Sequence, residues 1–256
     1  MSPLDLRKRC HDYALARVDE QRADFIRFGV LGEWDDPYLT LAKHVEVAQI
    51  GVFGTMAKKG YIYKGLKAVY WCPHCETALA AAEIEYKEIK SNSIFVSFKA
   101  EDWGSHAPQG FDKDHTYALI WTTTPWTIPA NKAIAANSDI EYVWVKVGDD
   151  ALLLAKELVA SSMEAAKVTE YEVLPGIMKG KDIEGLRFVH PMYEDRKVPV
   201  ILGDHVTLEA GTGLVHTAPD HGVEDFEVCK KYPDWHLEPS GTVGPDGKYT
   251  SAVPGY

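Results

Sequence analysis

The spacing of apolar residues in the first part of the chain is that of α-helices with one apolar face. Apolar side chains recur on one side of residues 3–28, and Gly29 follows where a helix would end. A similar stripe runs through residues 41–59 and is followed by Gly60. The pattern therefore predicts two helices, which resemble elements of a helical bundle and carry no evident chemistry.

From residue 68 onward the pattern changes to short runs of β-branched and aromatic residues, bounded by glycine, proline or aspartate. Strands are predicted at residues 68–71, 93–98, 116–123, 141–147, 198–202 and 213–217. Helical stretches interrupt them at residues 154–166 and 223–232. Because so many short strands must hide their edges, we expect a partly closed barrel. The predicted fold class is α+β, a helical N-terminal segment followed by a β-barrel-like domain with interspersed helices.

The change of pattern also predicts the domain organisation. Residues 1–88 are predicted to form a helical connecting segment that contains a Cys-x-x-Cys knuckle, and residues 89–256 the β-rich domain. Its last part, residues 239–256, is rich in glycine and proline and is predicted to be a loop.

Composition narrows the possible classes and partners. Of 256 residues, 46% are hydrophobic and 25% are charged, which excludes disordered, collagen-like and coiled-coil proteins. A formal net charge of −11 disfavours broad adhesion to nucleic acid or anionic membranes and leaves room for a local basic groove. No apolar run approaches the ~20 residues of a membrane span, so no membrane partner is expected. The few cysteines form no disulfide framework, and we expect a cytoplasmic location.

Cys72-Pro73-His74-Cys75 could supply half of a zinc site. Two thiolates presented from one knuckle are two of the four ligands that tetrahedral zinc requires. No second Cys-x-x-Cys or His pair follows, and Cys10 and Cys229 are isolated. A reduced structural pair without metal is an equally good interpretation.

A threonine-rich segment follows the predicted strand at residues 116–123. From Trp121 to Asn131 the segment contains two prolines, two tryptophans and four threonines, which are Thr122, Thr123, Thr124 and Thr127. This composition predicts a stiff turn with hydroxyls on one side. Such hydroxyls can donate or accept hydrogen bonds and can hold a water molecule. The alternative is a threonine-rich edge strand, which composition alone favours.

A second polar segment, residues 211–226, runs from a glycine turn through a strand to a helix start. It places His216, Asp220, His221 and Asp225 at the end of a strand, where ligand-binding groups commonly lie. Taken one by one, each has a structural interpretation as a core histidine, a loop histidine, a helix cap or a first-turn acid. The sequence contains no Gly-x-Ser-x-Gly, His-Glu-x-x-His or phosphate-loop motif, which disfavours the corresponding enzyme classes.

Three motifs occur in order: the Cys-Pro-His-Cys knuckle, Trp-Thr-Thr-Thr-Pro-Trp-Thr-Ile-Pro-Ala-Asn, and Gly-Thr-Gly-Leu-Val-His-Thr-Ala-Pro-Asp-His-Gly. Together they resemble the editing insertion of the isoleucyl-tRNA synthetases, which are class I aminoacyl-tRNA synthetases. The leucyl and valyl enzymes usually carry Thr-x-Arg-Pro where this chain has Thr123-Thr124-Pro125-Trp126. The His-Ile-Gly-His and Lys-Met-Ser-Lys-Ser signatures of amino-acid activation do not occur. We therefore expect a fragment that edits without activating an amino acid.

The resemblance implies hydrolysis of mischarged Val-tRNA(Ile). It implies that Asp225 pairs with the α-ammonium of the substrate and that residues 122–124 hold the ester and a water. His216 is implied to exclude the larger isoleucine side chain. The further residues expected in or beside the substrate pocket are Trp121, Thr127, Asn131, Asp220 and His221.

The implied partners are the 3′ acceptor end of tRNA(Ile), the valine moiety and the remainder of a synthetase. No cofactor is required for editing, and zinc is possible at the incomplete Cys72 and Cys75 site. Two alternatives stay open: a non-catalytic tRNA-docking or zinc-knuckle module, and an editing domain of the valyl or leucyl type.

Overall fold

The computed structural model describes residues 1–255, and the chain divides into two compact units between Leu66 and Lys67. Tyr256, the last residue of the predicted loop and of the predicted second domain, lies outside the described residues. The domain boundary predicted between residues 88 and 89 stays a prediction. It falls within the second compact unit.

The first unit consists of two helices and their connections. Helix α1 spans Pro3–Arg27, with the Ser2 hydroxyl accepting a hydrogen bond from the Asp5 amide as its N-terminal cap. Helix α2 spans Lys43–Lys58. Both predicted helices are confirmed to within two residues at each end. No helix among the described residues is both long enough and apolar enough to cross a membrane.

The second unit holds the strands and three short helices. Strands β1 Trp71–Cys72 and β2 Thr77–Ala78 pair as a separate ribbon. The main sheet contains β3 Ile94–Asp102, β4 Thr116–Thr122, β5 Ala133–Ala136, β6 Glu141–Val147, β7 Asp150–Ala155, β8 Glu172–Val173, β9 Met178–Lys179, β10 Arg187–Val189, β11 Lys197–Leu202 and β12 Val215–Thr217. The helices are α3 Val159–Ala165, α4 Gly180–Ile183 and α5 Val223–Cys229.

The sheet is mixed and its hydrogen-bonded path is open. Its order is β12-β5-β11-β10-β3-β4-β7-β6-β8, with β9 also pairing with β6. The pairs β4–β7 and β5–β11 are parallel and the others antiparallel. Strand β12 approaches β4 without pairing to it, so the expected barrel does not close. The two end strands are only three and two residues long, which leaves little edge to hide and makes closure unnecessary.

The α+β prediction is confirmed, although several strands differ from the pattern. Five of the six predicted strands occur at nearly their predicted positions. Of the sixth, residues 68–71, only Trp71 lies in a strand. Strands β5, β7 and β10 were not predicted, and neither were the two-residue strands β2, β8 and β9. The stretch predicted as a helix from residue 154 begins as the end of β7, since a leucine-rich run fits a buried strand as well as a helix.

The buried core packs between the strands and holds in place the strand ends that lie near the candidate site. Phe98, Ile120, Ile134 and Phe188 are fully buried in one cluster that links β3, β4, β5 and β10. Burying such side chains contributes about 1.5–3 kcal/mol each. The carboxyl end of β4 and the short strand β12 are therefore held by the same packed interior.

Candidate functional site

A cavity of about 300 Å³ opens in the second unit where the end of β4 meets the segment around β12. It is partly polar, and it gathers residues from four separate parts of the sequence. The lining residues are Trp121, Thr122, Thr123, Thr124, Trp126, Thr127, His205, Thr207, Ala210, Gly211, Thr212, Gly213, Leu214, Val215, His216, Ala218, His221 and Asp225.

The threonine segment is a turn stabilised by its own hydroxyls. The Thr122 hydroxyl accepts from the Thr124 amide at 3.0 Å and lies 3.2 Å from the Thr124 hydroxyl. The Thr127 hydroxyl donates to the Thr124 carbonyl at 2.8 Å. The Thr123 hydroxyl makes no hydrogen bond within residues 1–255 and is exposed, which leaves it free for a ligand. The turn is thus both a structural element and a source of hydroxyls.

His216 is held at both ring nitrogens. The Asn131 side-chain nitrogen lies 2.8 Å from Nδ1, and because an amide nitrogen can only donate, Nδ1 must accept. The proton is therefore on Nε2, which donates to the Thr127 hydroxyl at 2.8 Å. Burial lowers the pKa of His216 to about 4, so the ring is neutral at physiological pH.

Asp225 is the one carboxylate among the residues that line the cavity. It lies in the first turn of α5, and its Oδ2 accepts from the Ala218 amide at 2.8 Å. Burial raises the pKa of Asp225, and the hydrogen bond from the Ala218 amide opposes the rise. A partly buried carboxylate with one oxygen held by the backbone is suited to receive a cation.

The neighbouring polar residues have different surroundings. Asp220 accepts from the Ser240 amide at 2.9 Å and the Gly241 amide at 2.7 Å, and it does not line the cavity. Asn131 lies fully buried behind His216 and does not line the cavity either. His221 does line it, with its ring packed edge-on against Trp126 at 5.0 Å between centroids.

The Cys72 and Cys75 knuckle lies at the turn of the β1–β2 ribbon. The Cys75 amide donates to the Cys72 sulfur at 3.4 Å, and the backbone amides of Cys75 and His74 lower the pKa of Cys72. Within residues 1–255 no group of three or more His, Cys, Asp or Glu side chains could hold a metal ion. The knuckle thus offers two thiols, and the zinc hypothesis stays a prediction.

The family model described as tRNA synthetases class I (I, L, M and V) matches residues 1–238 of the chain. The chain belongs to this family. Among relatives of this synthetase chain, the isoleucine–tRNA ligase of Thermoanaerobacter sp. is 50% identical over 257 residues, covering 100% of this chain and 27% of the relative. That of Caldicellulosiruptor saccharolyticus is 54% identical over 233 residues, covering 91% and 25%. The synthetase chain thus spans about a quarter of the length of these curated relatives.

Solved structures to which the synthetase chain is similar include the P. knowlesi cytosolic leucyl-tRNA synthetase editing domain. The TM-score is 0.46 at 13% identity, over 59% of the synthetase chain and 71% of that chain. The P. falciparum cytosolic leucyl-tRNA synthetase editing domain has a TM-score of 0.41 at 12% identity, over 49% and 51%.

The loop that carries Gly211 to Leu214 is anchored by groups that the sequence did not indicate. In the synthetase chain, the Tyr142 hydroxyl donates to the Gly213 carbonyl at 2.8 Å, and the Ser162 hydroxyl donates to the Gly211 carbonyl at 2.9 Å. Gly213 has φ +73°, and a Cβ there would lie 2.3 Å from the Ala155 Cβ. Only glycine fits this close, left-handed position.

Sequence reasoning also missed three lining residues: His205, Thr207 and Ala210. The available signal for His205 was its place after β11, since polar groups just beyond a strand's carboxyl end often face a site. Trp126 was noted only as part of the threonine motif, and its ring is 52% exposed beside the cavity.

Proposed function

We propose that this chain edits: it hydrolyses the ester of Val-tRNA(Ile), a mischarged product of an isoleucyl-type synthetase. Membership of the class I family and the identity to isoleucine–tRNA ligases over the whole chain support this assignment. The observation that carries it is the cavity itself. One carboxylate, a row of threonine hydroxyls and a neutral, immobilised histidine line a single space.

The physical need for such a site follows from the limits of hydrophobic recognition. A pocket that accepts isoleucine rejects valine only by ~10–200-fold, because one methylene is worth about 1–3 kcal/mol. A second pocket that accepts valine and excludes isoleucine removes the remaining errors. The cavity of about 300 Å³ lies at the small end of the usual range for ligand pockets, ~300–1,000 Å³, which suits a small side chain such as that of valine.

In the proposed reaction the free Oδ1 of Asp225 accepts the α-ammonium of valine and fixes the position of the ester. A water held by the threonine turn attacks the carbonyl carbon, so a carbon–oxygen bond forms to water as the bond to the ribose oxygen breaks. The water's proton goes to the departing ribose oxygen, by way of the adjacent ribose hydroxyl. An ester is already activated, so placement of the water suffices without a protein nucleophile.

His216 cannot serve as the general base in this scheme. Its Nδ1 lone pair is occupied by the Asn131 donor, and its Nε2 carries a proton directed at Thr127. The ring contributes a rigid wall instead. We propose that this wall leaves space for valine and collides with the extra methylene of isoleucine.

The decisive experiment removes the charge of Asp225. We expect Asp225→Asn and Asp225→Ala to lower the rate of Val-tRNA(Ile) deacylation by about 100-fold or more, since losing one partner of a desolvated ion pair costs several kcal/mol. The measurement is release of labelled valine under single-turnover conditions.

Glu224 provides the matched control. It is the neighbouring acid in the first turn of α5, is exposed and does not line the cavity. Glu224→Gln should deacylate at the wild-type rate, and both proteins should unfold at similar temperatures. Wild-type rates in Asp225→Asn would refute the assignment. Binding of tRNA without any hydrolysis by the unaltered chain would favour the non-catalytic docking module.

A further inference from the structure

His205 carries a polar atom that nothing in the described protein uses. Its ring lines the same cavity as Asp225, and its Nε2 is buried without a hydrogen-bond partner among residues 1–255. Leaving a buried polar group unpaired costs about 1–3 kcal/mol, so such an atom requires an explanation. At the edge of a ligand cavity, the natural explanation is a partner that arrives with the ligand.

The ring position is set by the backbone beneath it. A Cβ on Gly203 would lie 2.5 Å from the His205 Cε1 and 2.8 Å from its Nδ1, so the imidazole packs directly on the glycine. No side chain larger than hydrogen fits between them. Gly203 does not have a positive φ, and its lack of a side chain therefore serves this contact and not a turn conformation.

Asp225 also has an oxygen atom available to a ligand. Its Oδ2 is taken by the Ala218 amide, whereas its Oδ1 accepts no hydrogen bond from residues 1–255. An α-ammonium has three N–H donors, and one carboxylate oxygen satisfies only one of them. A neutral imidazole nitrogen is a suitable second acceptor, because it adds no negative charge beside the carboxylate.

We propose that His205 is a second recognition residue for the α-ammonium of the aminoacyl ester: with its proton on Nδ1, it accepts one N–H through Nε2 while Asp225 Oδ1 accepts another. This inference rests on the proposed function and deepens it. The His205 ring lines the cavity but its Nε2 is buried, so the proposal includes a rotation of the ring about the Cβ–Cγ bond that turns Nε2 toward the ligand.

The test compares two substrates that differ only at the group His205 is proposed to bind. One is valyl-tRNA, and the other is the ester of 2-hydroxyisovalerate, in which a hydroxyl replaces the ammonium. His205→Asn and His205→Leu should lower kcat/KM for the valyl ester by about tenfold or more, mainly by raising KM. The hydroxy ester should be hydrolysed at a nearly unchanged rate.

Two further variants separate the identity of the atom from its position. Gln places its carbonyl oxygen near the position of Nε2, so His205→Gln should keep most of the preference for the ammonium ester. Gly203→Ala retains the imidazole but displaces it, and it should behave like His205→Asn. His115→Asn, at an exposed histidine outside the cavity, should leave both rates as they are.

If His205→Asn lowers kcat/KM equally for both esters, the residue has a structural role and the inference is overturned. An unchanged preference for the valyl ester over the hydroxy ester would overturn it as well. Those outcomes leave the proposed function intact, provided that the unaltered chain hydrolyses the valyl ester. If the unaltered chain hydrolyses neither ester, the proposed function fails and His205 loses its assigned role with it.

Discussion

Both ring nitrogens of His216 are used inside the protein, one by Asn131 and the other by Thr127. The histidine therefore ties the strand β12 to the threonine turn while one side of its ring lines the cavity. Truncation would remove the wall and also release two buried polar partners. Removal of the wall would change the selectivity between substrates, and release of the buried partners would lower the stability of the fold.

We predict that His216→Ala allows hydrolysis of Ile-tRNA(Ile), because the space left by the ring accommodates the extra methylene. Hydrolysis of Val-tRNA(Ile) should persist at a reduced rate, since Thr127 loses its donor and the turn is less firmly held. The measurement is the ratio of the two deacylation rates. A variant that loses both activities together would show that the histidine is needed for catalysis or folding, and an unchanged ratio would remove it from selectivity.

Two buried histidines also predict how stability depends on pH. Burial lowers the pKa of His190 and of His216 to about 4, against 6.5 in the unfolded chain. Between these values the unfolded state binds more protons, so the free energy of unfolding falls as the pH falls. From about pH 7 to about pH 5 the loss should be on the order of 2 kcal/mol for each ring.

Urea unfolding at a series of pH values measures this dependence. His115 contributes with the opposite sign, because its contact with Asp150 raises its pKa and stabilises the folded state only while the ring is protonated. The slope should therefore be steeper in His115→Gln than in the unaltered chain. A stability that does not change over this range would contradict the buried, neutral state of the two rings.

At the scale of elements, the loop from Gly211 to Leu214 depends on a close approach to β7. Besides the bonds from Tyr142 and Ser162, the Ala155 amide donates to the Thr212 carbonyl at 2.8 Å. This brings the loop so near that Gly213 touches Ala155. Three hydrogen bonds and this close contact therefore tie the loop that lines the cavity to its neighbouring elements.

We predict that Gly213→Ala destabilises the protein by about 2–4 kcal/mol, because it combines a left-handed residue with a collision against the Ala155 Cβ. Deacylation should fall with it, since the cavity wall moves. Gly148→Ala is the matched control: its φ is +59° but nothing lies within 4 Å of the added Cβ. It should show only the smaller conformational cost in thermal unfolding. Equal effects of the two substitutions would mean that the contact with Ala155 is unimportant.

The sequence predicts an element well only where the residues of that element themselves show a helical or strand pattern. Strand β6 has a β-rich run and was predicted correctly, whereas Ala-Ile-Ala-Ala in β5 is buried on both sides and contains no alternation. Its place in the sheet comes from pairing with β11 and β12. Because that pairing is long-range, no window of sequence around β5 could reveal it.

The same distinction applies to the candidate site. The threonine turn and the segment with His216 and Asp225 could be found, since each is a compact local motif. That His216 bonds to Thr127 could not, because it depends on the β5–β12 register, which sets His216 opposite Ile134. His205 stands alone in its loop, and only the assembled cavity gives it a role.

At the scale of the whole molecule, the prediction for metal content is simple. The chain purified without added metal should bind zinc weakly or not at all, because Cys72 and Cys75 supply two of the usual four ligands. Elemental analysis after dialysis against a chelator measures this, and Cys72→Ser serves as the comparison. Stoichiometric zinc that survives the chelator in a monomer would contradict the prediction.

The long-range hydrogen bond between Thr127 and His216 also has a consequence during synthesis. The two residues are 89 positions apart in the chain. At the usual ~5–20 residues per second, the ribosome needs roughly 4–18 s to make the intervening segment. Throughout that time the threonine turn lacks its histidine. Strand β5 has neither of its partners until β11 is made at residues 197–202, and it lacks β12 until the end of the interval. A nascent chain that pauses before residue 197 leaves both edges of β5 unpaired and has no complete candidate site.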